Sequence, residues 1–426
     1  MEYLNNFLKS NYKIDEEHIK FVNEVKTDLY NRFEELQDIR QYNTLKVLKA
    51  MQDEYLGATD FNWTTGYGYG DIGRDKTERI YANIFNTEDA LVRPTIASGT
   101  HAINLCLSGL LKSGDHLLEI SGTPYDTLLE VIGLEGDIEG TLIGNGVEYG
   151  EVDLIDDDFD YENILKSIKS NTKLIAIQRS TGYSDRKALS IDKIKKIITT
   201  IKKKYHDIPI FIDNCYGEFT DYFEPSDFGA DIMAGSLIKN PGGGLAYSGG
   251  YIVGKKDLIH RVAKRLTAPG IEKECGLTFG QTRTILQGLS IAPMIVNQAL
   301  KGAILIGEVY KRLGFKIVPD TFDKRSDIIL GIEFKNPKYL IAFCRAMQEA
   351  AAVDSYVVPE AWEMPGYEDK VIMASGSFID GSSIEISADG PMRDPFFAYY
   401  QGGLTFEQCI LACLISLRNL KSIGAI

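Results

Sequence analysis

Lys239 is the residue whose sequence surroundings most clearly indicate chemistry. It lies between a short apolar run that ends at Ser236 and a glycine-rich stretch at residues 242–244. A strand followed by a turn places a side chain at the carboxyl edge of a sheet, where open α/β folds bind their ligands. An amine there can form a Schiff base with an aldehyde, and the Ser236 hydroxyl can reach a phosphate. A solvated lysine in a turn is the common alternative, so the interpretation depends on partner residues.

Asp213 is the first such partner. It ends the apolar run at residues 209–213, and the chain breaks at Gly217 soon afterwards, which is typical of a buried strand and a turn. Pyridoxal phosphate, an aldehyde cofactor that binds lysine, needs a protonated pyridine nitrogen, and a carboxylate at the end of a strand can hold that proton. Lys239 and Asp213 together therefore predict a pyridoxal phosphate site. A turn-forming or helix-capping role is the alternative for Asp213.

The segment Ser98, Gly99, Thr100 is the predicted phosphate site. Small hydroxyl residues and a glycine open an amphipathic helix there, and a helix start offers unpaired N–H groups and the positive end of the helix dipole to a phosphate. An ordinary N-cap explains Ser98 equally well. Tyr125 follows the predicted strand at residues 116–121, so its ring could stack on the cofactor.

An α/β fold would bring these residues together at one edge of its sheet. Strand-like runs at residues 174–178, 210–213, 232–236 and 250–253 alternate with helical segments, which predicts a mostly parallel sheet covered on both faces. We expect an N-terminal helical arm (1–55), for which a helix of the small domain is the alternative, a large cofactor-binding domain (56–300) and a smaller α+β domain (301–426). A long helix is predicted at residues 282–306, and further strands at residues 316–318, 328–334 and 383–387.

Composition excludes several other classes of protein. The net charge of −14 is spread along the chain, which argues against nucleic acid or an anionic membrane as partner. The six cysteines have no CxxC spacing and no His partners, so we expect no metal site, no disulfide framework and a reduced cytoplasm. We find neither an export signal nor a span of about 20 apolar residues. The stretch Gly68–Gly73 matches G-x-G-x-x-G, but no buried strand precedes it, as a dinucleotide site would require.

Longer motifs carry a resemblance to a known family. The stretches FNWTTGYGYGDIGRD, RPTIASGTHAI, IDNCYGEF, GSLIKNPGGG and SADGPMRDPFFAYYQGGLT resemble the methionine γ-lyase-like family, also called aluminium resistance proteins, among the fold-type I pyridoxal phosphate enzymes. The resemblance runs from about Asp60 to Thr405. It implies a cofactor bound through Lys239, a homodimer or homotetramer with active sites shared between subunits, and a relation to enzymes that break C–S bonds in amino acids.

The resemblance also suggests residues for the phosphate and the substrate. In related enzymes a Tyr and an Arg reach across the dimer to the neighbour's phosphate, and Tyr67 or Tyr69 with Arg74 could do so here, although the usual Tyr-x-Arg spacing is absent. Arg393 matches the family's arginine for the substrate carboxylate, a group that a guanidinium binds well; its alternative is an ion pair with a nearby Asp. Arg179, predicted to end a strand at the sheet edge, is a second candidate.

Three functions remain open from the sequence. A carbon–sulfur lyase would use Lys239 to remove the α-proton of an amino acid and Tyr125 to protonate the departing thiolate. An aminotransferase would instead return the proton to the cofactor. A non-catalytic metal-stress protein is the third, but it would have to use a carboxylate group such as residues 156–158, which is little for a hard trivalent metal.

Overall fold

The computed structural model describes residues 2–364 and 369–426. Its helices are α1 (Glu2–Tyr12), α2 (Glu16–Asp28), α3 (Tyr30–Asp53), α4 (Ile72–Ile84), α5 (Gly99–Leu110), α6 (Asp126–Ile132), α7 (Tyr161–Ser167), α8 (Ile191–Lys202), α9 (Lys256–Leu266), α10 (Thr282–Arg312), α11 (Pro337–Glu349) and α12 (Phe406–Ser422). Its strands are β1 (Asp89–Arg93), β2 (His116–Glu119), β3 (Glu148–Glu151), β4 (Leu154–Ile155), β5 (Asp158–Phe159), β6 (Thr172–Gln178), β7 (Ile210–Asp213), β8 (Ile232–Ser236), β9 (Gly250–Gly254), β10 (Lys316–Val318), β11 (Leu330–Glu333), β12 (Val371–Ser375), β13 (Ser387–Pro391) and β14 (Phe397–Gln401).

The chain divides into two compact units. The larger is Tyr42–Pro293, and the smaller combines residues 2–41 with Met294–Ile426. The first helices therefore belong to the same unit as the C-terminal region, as in the second of the two alternatives that the sequence left open. The cause is packing, because α2 contacts α12 and the Arg418 guanidinium donates to the carbonyl of Tyr12 at 2.7 Å.

The larger unit is built on a seven-stranded sheet. Its strand order is β1-β9-β8-β7-β6-β2-β3. Strands β3, β2, β6, β7 and β8 run parallel, whereas β9 is antiparallel to both of its neighbours. Strands β7, β8 and β9 are buried along their whole length, as expected for a sheet covered on both faces. This mostly parallel sheet confirms the predicted α/β fold class.

The carboxyl edge of this sheet collects polar residues. Glu119, Gln178, Asp213 and Ser236 are the last residues of β2, β6, β7 and β8. These strands are parallel neighbours, so their ends meet at one edge. Strands β7 and β8 have the limits that the sequence predicted, because each is an apolar run closed by a polar residue.

The smaller unit contains a five-stranded antiparallel sheet in the order β10-β11-β14-β13-β12. The predicted strand at residues 383–387 is wrong, because β13 begins only at Ser387. Instead, the Glu385 carboxylate accepts the N–H groups of Phe378 and Ile379 at 3.0 and 2.9 Å. These side-chain bonds fold residues 378–385 into a compact loop before the strand starts.

Helix α10 is longer than predicted and continues to Arg312. It contradicts the expectation that the chain has no long apolar span, because its length and composition would suit a membrane helix. However, 72% of its most apolar window is buried inside the protein. Burial of this kind is typical of the core helix of a globular fold.

Candidate active site

Lys239 lies just beyond β8, at the carboxyl edge of the large sheet. Its Nζ stands 3.6 Å from the centre of the Tyr216 ring. Burial acts to lower the pKa of the Lys239 amine, but Tyr216, Cys215 and Asp213 outweigh it and raise that pKa above its usual value. The structure therefore places the Lys239 amine among groups that stabilise its charged form.

Asp213 lies at the same edge and is buried. Its Oδ1 accepts the N–H of Cys215 at 3.0 Å. Burial raises the pKa of Asp213, while the Cys215 N–H and the charge of Lys239 partly offset the rise. A buried carboxyl group near this lysine can hold a proton on a ligand nitrogen more effectively than one in water.

The start of α5 contributes hydrogen-bond donors to this edge. Ser98 caps the helix, its Oγ accepting the N–H of His101 at 3.0 Å. A Cβ added to Gly99 would lie 3.2 Å from Cys215 Sγ and 3.4 Å from Ser236 Cβ, so the helix start sits directly against the ends of β7 and β8. The capping role weighed for Ser98 is thus present, and its O–H can still donate.

Tyr125 precedes α6 and is held by its backbone. Its N–H donates to Gln178 Oε1 at 2.8 Å, which fixes it to the end of β6. Its ring packs edge-on against Tyr183, with the ring centres 5.6 Å apart. The hydroxyls of Thr100 and Thr127 are 3.2 Å apart, so the starts of α5 and α6 are joined. The sequence-predicted residues Lys239, Asp213, Ser236, Ser98–Thr100 and Tyr125 thus all lie at the carboxyl edge of one sheet.

The structure engages the Arg74 guanidinium in contacts within its own chain. Its side chain is 2% exposed, and its Nη1 donates to the carbonyls of Gly68 at 2.7 Å and Gly276 at 3.3 Å. Its Nε donates to Asp75. Arg74 therefore holds two loops of its own chain together. Tyr67 and Tyr69 are mostly exposed.

Arg179 is also placed differently from the substrate role expected for it. Its side chain is fully buried, with Nη1 2.8 Å from Asn214 Oδ1 and 3.4 Å from Glu224 Oε2. Its Nη2 donates to Thr220 at 3.2 Å. The guanidinium thus stabilises the turn that follows Asp213. Because its donors are used there, the expectation that Arg179 binds substrate is corrected.

Arg393 lies in the smaller unit, directly after β13. Its Nη1 donates to Asp369 Oδ2 at 3.2 Å, and both side chains are exposed. The alternative weighed for this residue was an ion pair with Asp389 or Asp394, but Asp369 is the partner found. An exposed pair of this kind contributes about 0–1 kcal/mol, so the guanidinium can exchange it for another carboxylate.

Three residues of the site were missed by the sequence analysis. Tyr216 lies under the amine of Lys239. Glu218 is fully buried, its Oε1 accepting from the Tyr251 hydroxyl at 2.7 Å. Asn240 donates from its amide to the carbonyls of Tyr216 and Glu218 at 3.0 and 2.9 Å. Their position in the motifs IDNCYGEF and GSLIKNPGGG, beside Asp213 and Lys239, could have identified them as candidate site residues.

The described residues fit pyridoxal phosphate at this edge. Lys239 supplies the amine and Asp213 the buried carboxyl group. The contact of Gly99 with Ser236 brings the N–H groups of a helix start and several hydroxyls together, as a phosphate needs. In residues 2–364 and 369–426, no three His, Cys, Asp or Glu residues are grouped as a metal site would need.

The fold and the site define a class of proteins, the fold-type I pyridoxal phosphate enzymes. The structure of the pyridoxal phosphate-dependent protein YhfS from Escherichia coli matches with a TM-score of 0.61, covering 92% of this chain and 97% of that one, at 18% identity. That likeness supports the fold alone. The model of the methionine gamma-lyase family matches residues 18–421, so the chain belongs to the methionine gamma-lyase family.

Two further relatives show to which enzymes the chain is similar. A carbon–sulfur lyase involved in aluminum resistance from Clostridium novyi NT is 47% identical, with a TM-score of 0.94, and the match covers 98% of this chain and 99% of that one. An L-methionine gamma-lyase of Treponema denticola is 25% identical over 225 residues, which are 52% of this chain and 51% of that protein. The resemblance seen in the sequence motifs is thereby confirmed.

Proposed function

We propose that this protein is a pyridoxal phosphate-dependent carbon–sulfur lyase that acts on sulfur-containing amino acids. The observation that carries the proposal is the placement of Lys239 and Asp213 at one sheet edge, beside the start of α5. The membership in the methionine gamma-lyase family and the 47% identity to a carbon–sulfur lyase support the reaction class.

Each residue at the edge has a task in this reaction. Lys239 Nζ would hold the cofactor and, once released by the substrate amine, take the proton from Cα. Asp213 would keep a proton on the pyridine nitrogen. Ser98, Gly99, Thr100 and Ser236 would bind the phosphate through N–H and O–H groups. When bound, pyridoxal phosphate supplies the sink for the electron pair left on Cα.

The leaving group is the second half of the chemistry. As the C–S bond breaks, its electron pair stays on sulfur, and the Tyr125 hydroxyl would give that sulfur a proton. The position of Tyr125, fixed to the end of β6 through its own N–H, supports this assignment. Arg393 would bind the substrate carboxylate in place of Asp369.

The proposal also includes the oligomeric state and the cellular location of the enzyme. We place the enzyme in the cytoplasm as a homodimer or homotetramer, with Tyr67 or Tyr69 contacting the neighbouring subunit's phosphate. The exposed rings of these tyrosines and the unpaired state of the six cysteines support this. Because Arg74 is engaged within its own chain, it is no longer part of the proposed phosphate contact.

Product analysis tests the reaction. The purified protein is given cystathionine, methionine, cysteine, serine and alanine, and thiol or sulfide, 2-keto acid and ammonia are measured. We expect keto acid and a sulfur product together from at least one sulfur amino acid, and neither from Lys239→Ala. Amino-group transfer to an added keto acid without release of sulfur would identify an aminotransferase and contradict the proposal.

A further inference from the structure

Tyr216 has an unusual backbone and an unusual neighbour. Its φ is +68°, a left-handed conformation that bulky residues rarely adopt. Its ring face lies 3.6 Å from the Nζ of Lys239. Strain of this kind persists only where the surrounding structure imposes it, so the elements that hold the turn are informative.

The turn is held from two sides. On one side, Asn240 binds the carbonyls of Tyr216 and Glu218 through its side-chain amide, and Asn240 directly follows Lys239. On the other side, Arg179 packs so closely that a Cβ at Gly217 would lie 2.5 Å from its Nη1. The lysine and the tyrosine are thus tied together through backbone contacts that do not depend on the lysine side chain.

We propose that Tyr216 is the positioning residue for the Lys239 amine, holding Nζ over its ring and stabilising the positive charge that Nζ gains when it removes the substrate α-proton. This inference rests on the proposed lyase function. In the step concerned, the Cα–H bond would break, the proton would form an N–H bond with the lone pair of Nζ, and the electron pair of the broken bond would remain with the substrate. An aromatic face attracts the resulting ammonium ion.

The other groups that face Lys239 come from the same stretch of chain. Burial lowers the pKa of the amine, whereas Tyr216, Cys215 and Asp213 raise it. Glu218 also interacts with the charge of the amine. Of these, Tyr216 is the one whose ring contacts Nζ directly. A cation–π contact corresponds to about one pH unit in the proton affinity of the amine.

The test compares three variants of the full chain. Tyr216→Leu removes the ring, Tyr216→Phe keeps it, and Tyr222→Leu removes a nearby ring that packs against Tyr42 and not against Lys239. Trace labelling with an amine-reactive reagent across pH, followed by peptide mapping, measures the pH at which labelling of Lys239 levels off. That pH depends on proton affinity and not on access, and the cofactor-free chain can be used.

We expect labelling in Tyr216→Leu to level off about one pH unit lower than in the wild type. The shift in Tyr216→Phe should be smaller, because Phe keeps the ring and loses only the hydroxyl, whose hydrogen bond also raises the pKa of the amine. The value in Tyr222→Leu should stay unchanged. With the preferred sulfur amino acid, kcat should fall by on the order of tenfold in Tyr216→Leu, because Nζ is no longer held in position. KM should change little, and the fall in Tyr216→Phe should be smaller.

An unchanged Lys239 profile in Tyr216→Leu would overturn the inference. So would equal shifts in Tyr216→Leu and Tyr216→Phe, because the hydroxyl rather than the ring would then hold the amine. A shifted profile with unchanged kcat would remove the catalytic part of the claim. Labelling needs no turnover, so a failure of the lyase function is recognised separately, by absence of sulfur release in the wild type.

Discussion

Glu218→Gln should make the protein more resistant to alkaline pH. Glu218 is fully buried, and its Oε1 accepts from Tyr251 at 2.7 Å, while its Oε2 has no hydrogen-bond partner among the residues that the structure describes. Burial raises the pKa of Glu218 from an ordinary 4.5 to about 8. The side chain is therefore protonated in the folded protein at neutral pH, and glutamine preserves its shape and the acceptor for Tyr251.

The sign and size of the effect follow from proton binding. Between pH 4.5 and about 8, the folded chain keeps a proton on Glu218 that the unfolded chain has lost, so the stability that this proton provides falls as pH rises. At about pH 6, two pH units below the folded pKa, the remaining contribution is on the order of 2–3 kcal/mol, and by about pH 9 it is gone. Glu218→Gln has no carboxyl group to ionise at this position, so its free energy of unfolding does not fall for this reason.

Urea unfolding of both proteins at about pH 6 and about pH 9 measures the difference directly. We expect the free energy of unfolding of the wild type to fall, relative to Glu218→Gln, by on the order of 2–3 kcal/mol between the two pH values. The exposed Glu139→Gln serves as control and should run parallel to the wild type. Parallel curves for Glu218→Gln would refute the reasoning, because Glu218 would then be ionised in the folded protein throughout.

Three further substitutions probe other parts of the account. Asp213→Asn should fold normally but lower turnover by on the order of a hundredfold, because it removes charge stabilisation in a dry site; near-normal turnover would exclude Asp213 as the pyridine partner. Arg179→Met should lower the free energy of unfolding by about 3–5 kcal/mol in urea, because it leaves Glu224 buried without its cation, whereas a raised KM at unchanged stability would restore Arg179 as a substrate ligand. Arg393→Met should raise KM for the amino acid with less than about 1 kcal/mol change in stability, since only an exposed ion pair is lost; an unchanged KM would count against a carboxylate contact.

The sequence predicted the parts of the site that depend on local pattern. Strands β7 and β8 are short apolar runs closed by Asp213 and Ser236, and their order along the chain is enough to bring both ends to one edge. The start of α5 could be predicted equally well, because Ser98 and the residues after it form a standard helix cap. These features need no knowledge of distant contacts.

The parts that could not be predicted depend on contacts distant in sequence or on backbone shape. The roles of Arg74 and Arg179 were misjudged because an arginine near a site can serve the protein backbone as well as a ligand, and only their buried partners distinguish the two. Tyr216 was missed because its left-handed conformation brings the ring under Lys239, 23 residues further along the chain. The false strand at residues 383–387 arose because Ile384 and Ile386 alternate as in a strand, while Glu385 instead binds two backbone N–H groups.

The central claim is that Lys239 carries the cofactor, and borohydride reduction tests it most directly. The purified protein is reduced, digested and mapped by mass spectrometry. We predict one pyridoxyl group, on the peptide that contains Lys239, and none in Lys239→Ala treated in the same way. A pyridoxyl group on another lysine, or none on the wild-type protein after incubation with pyridoxal phosphate, would contradict the account.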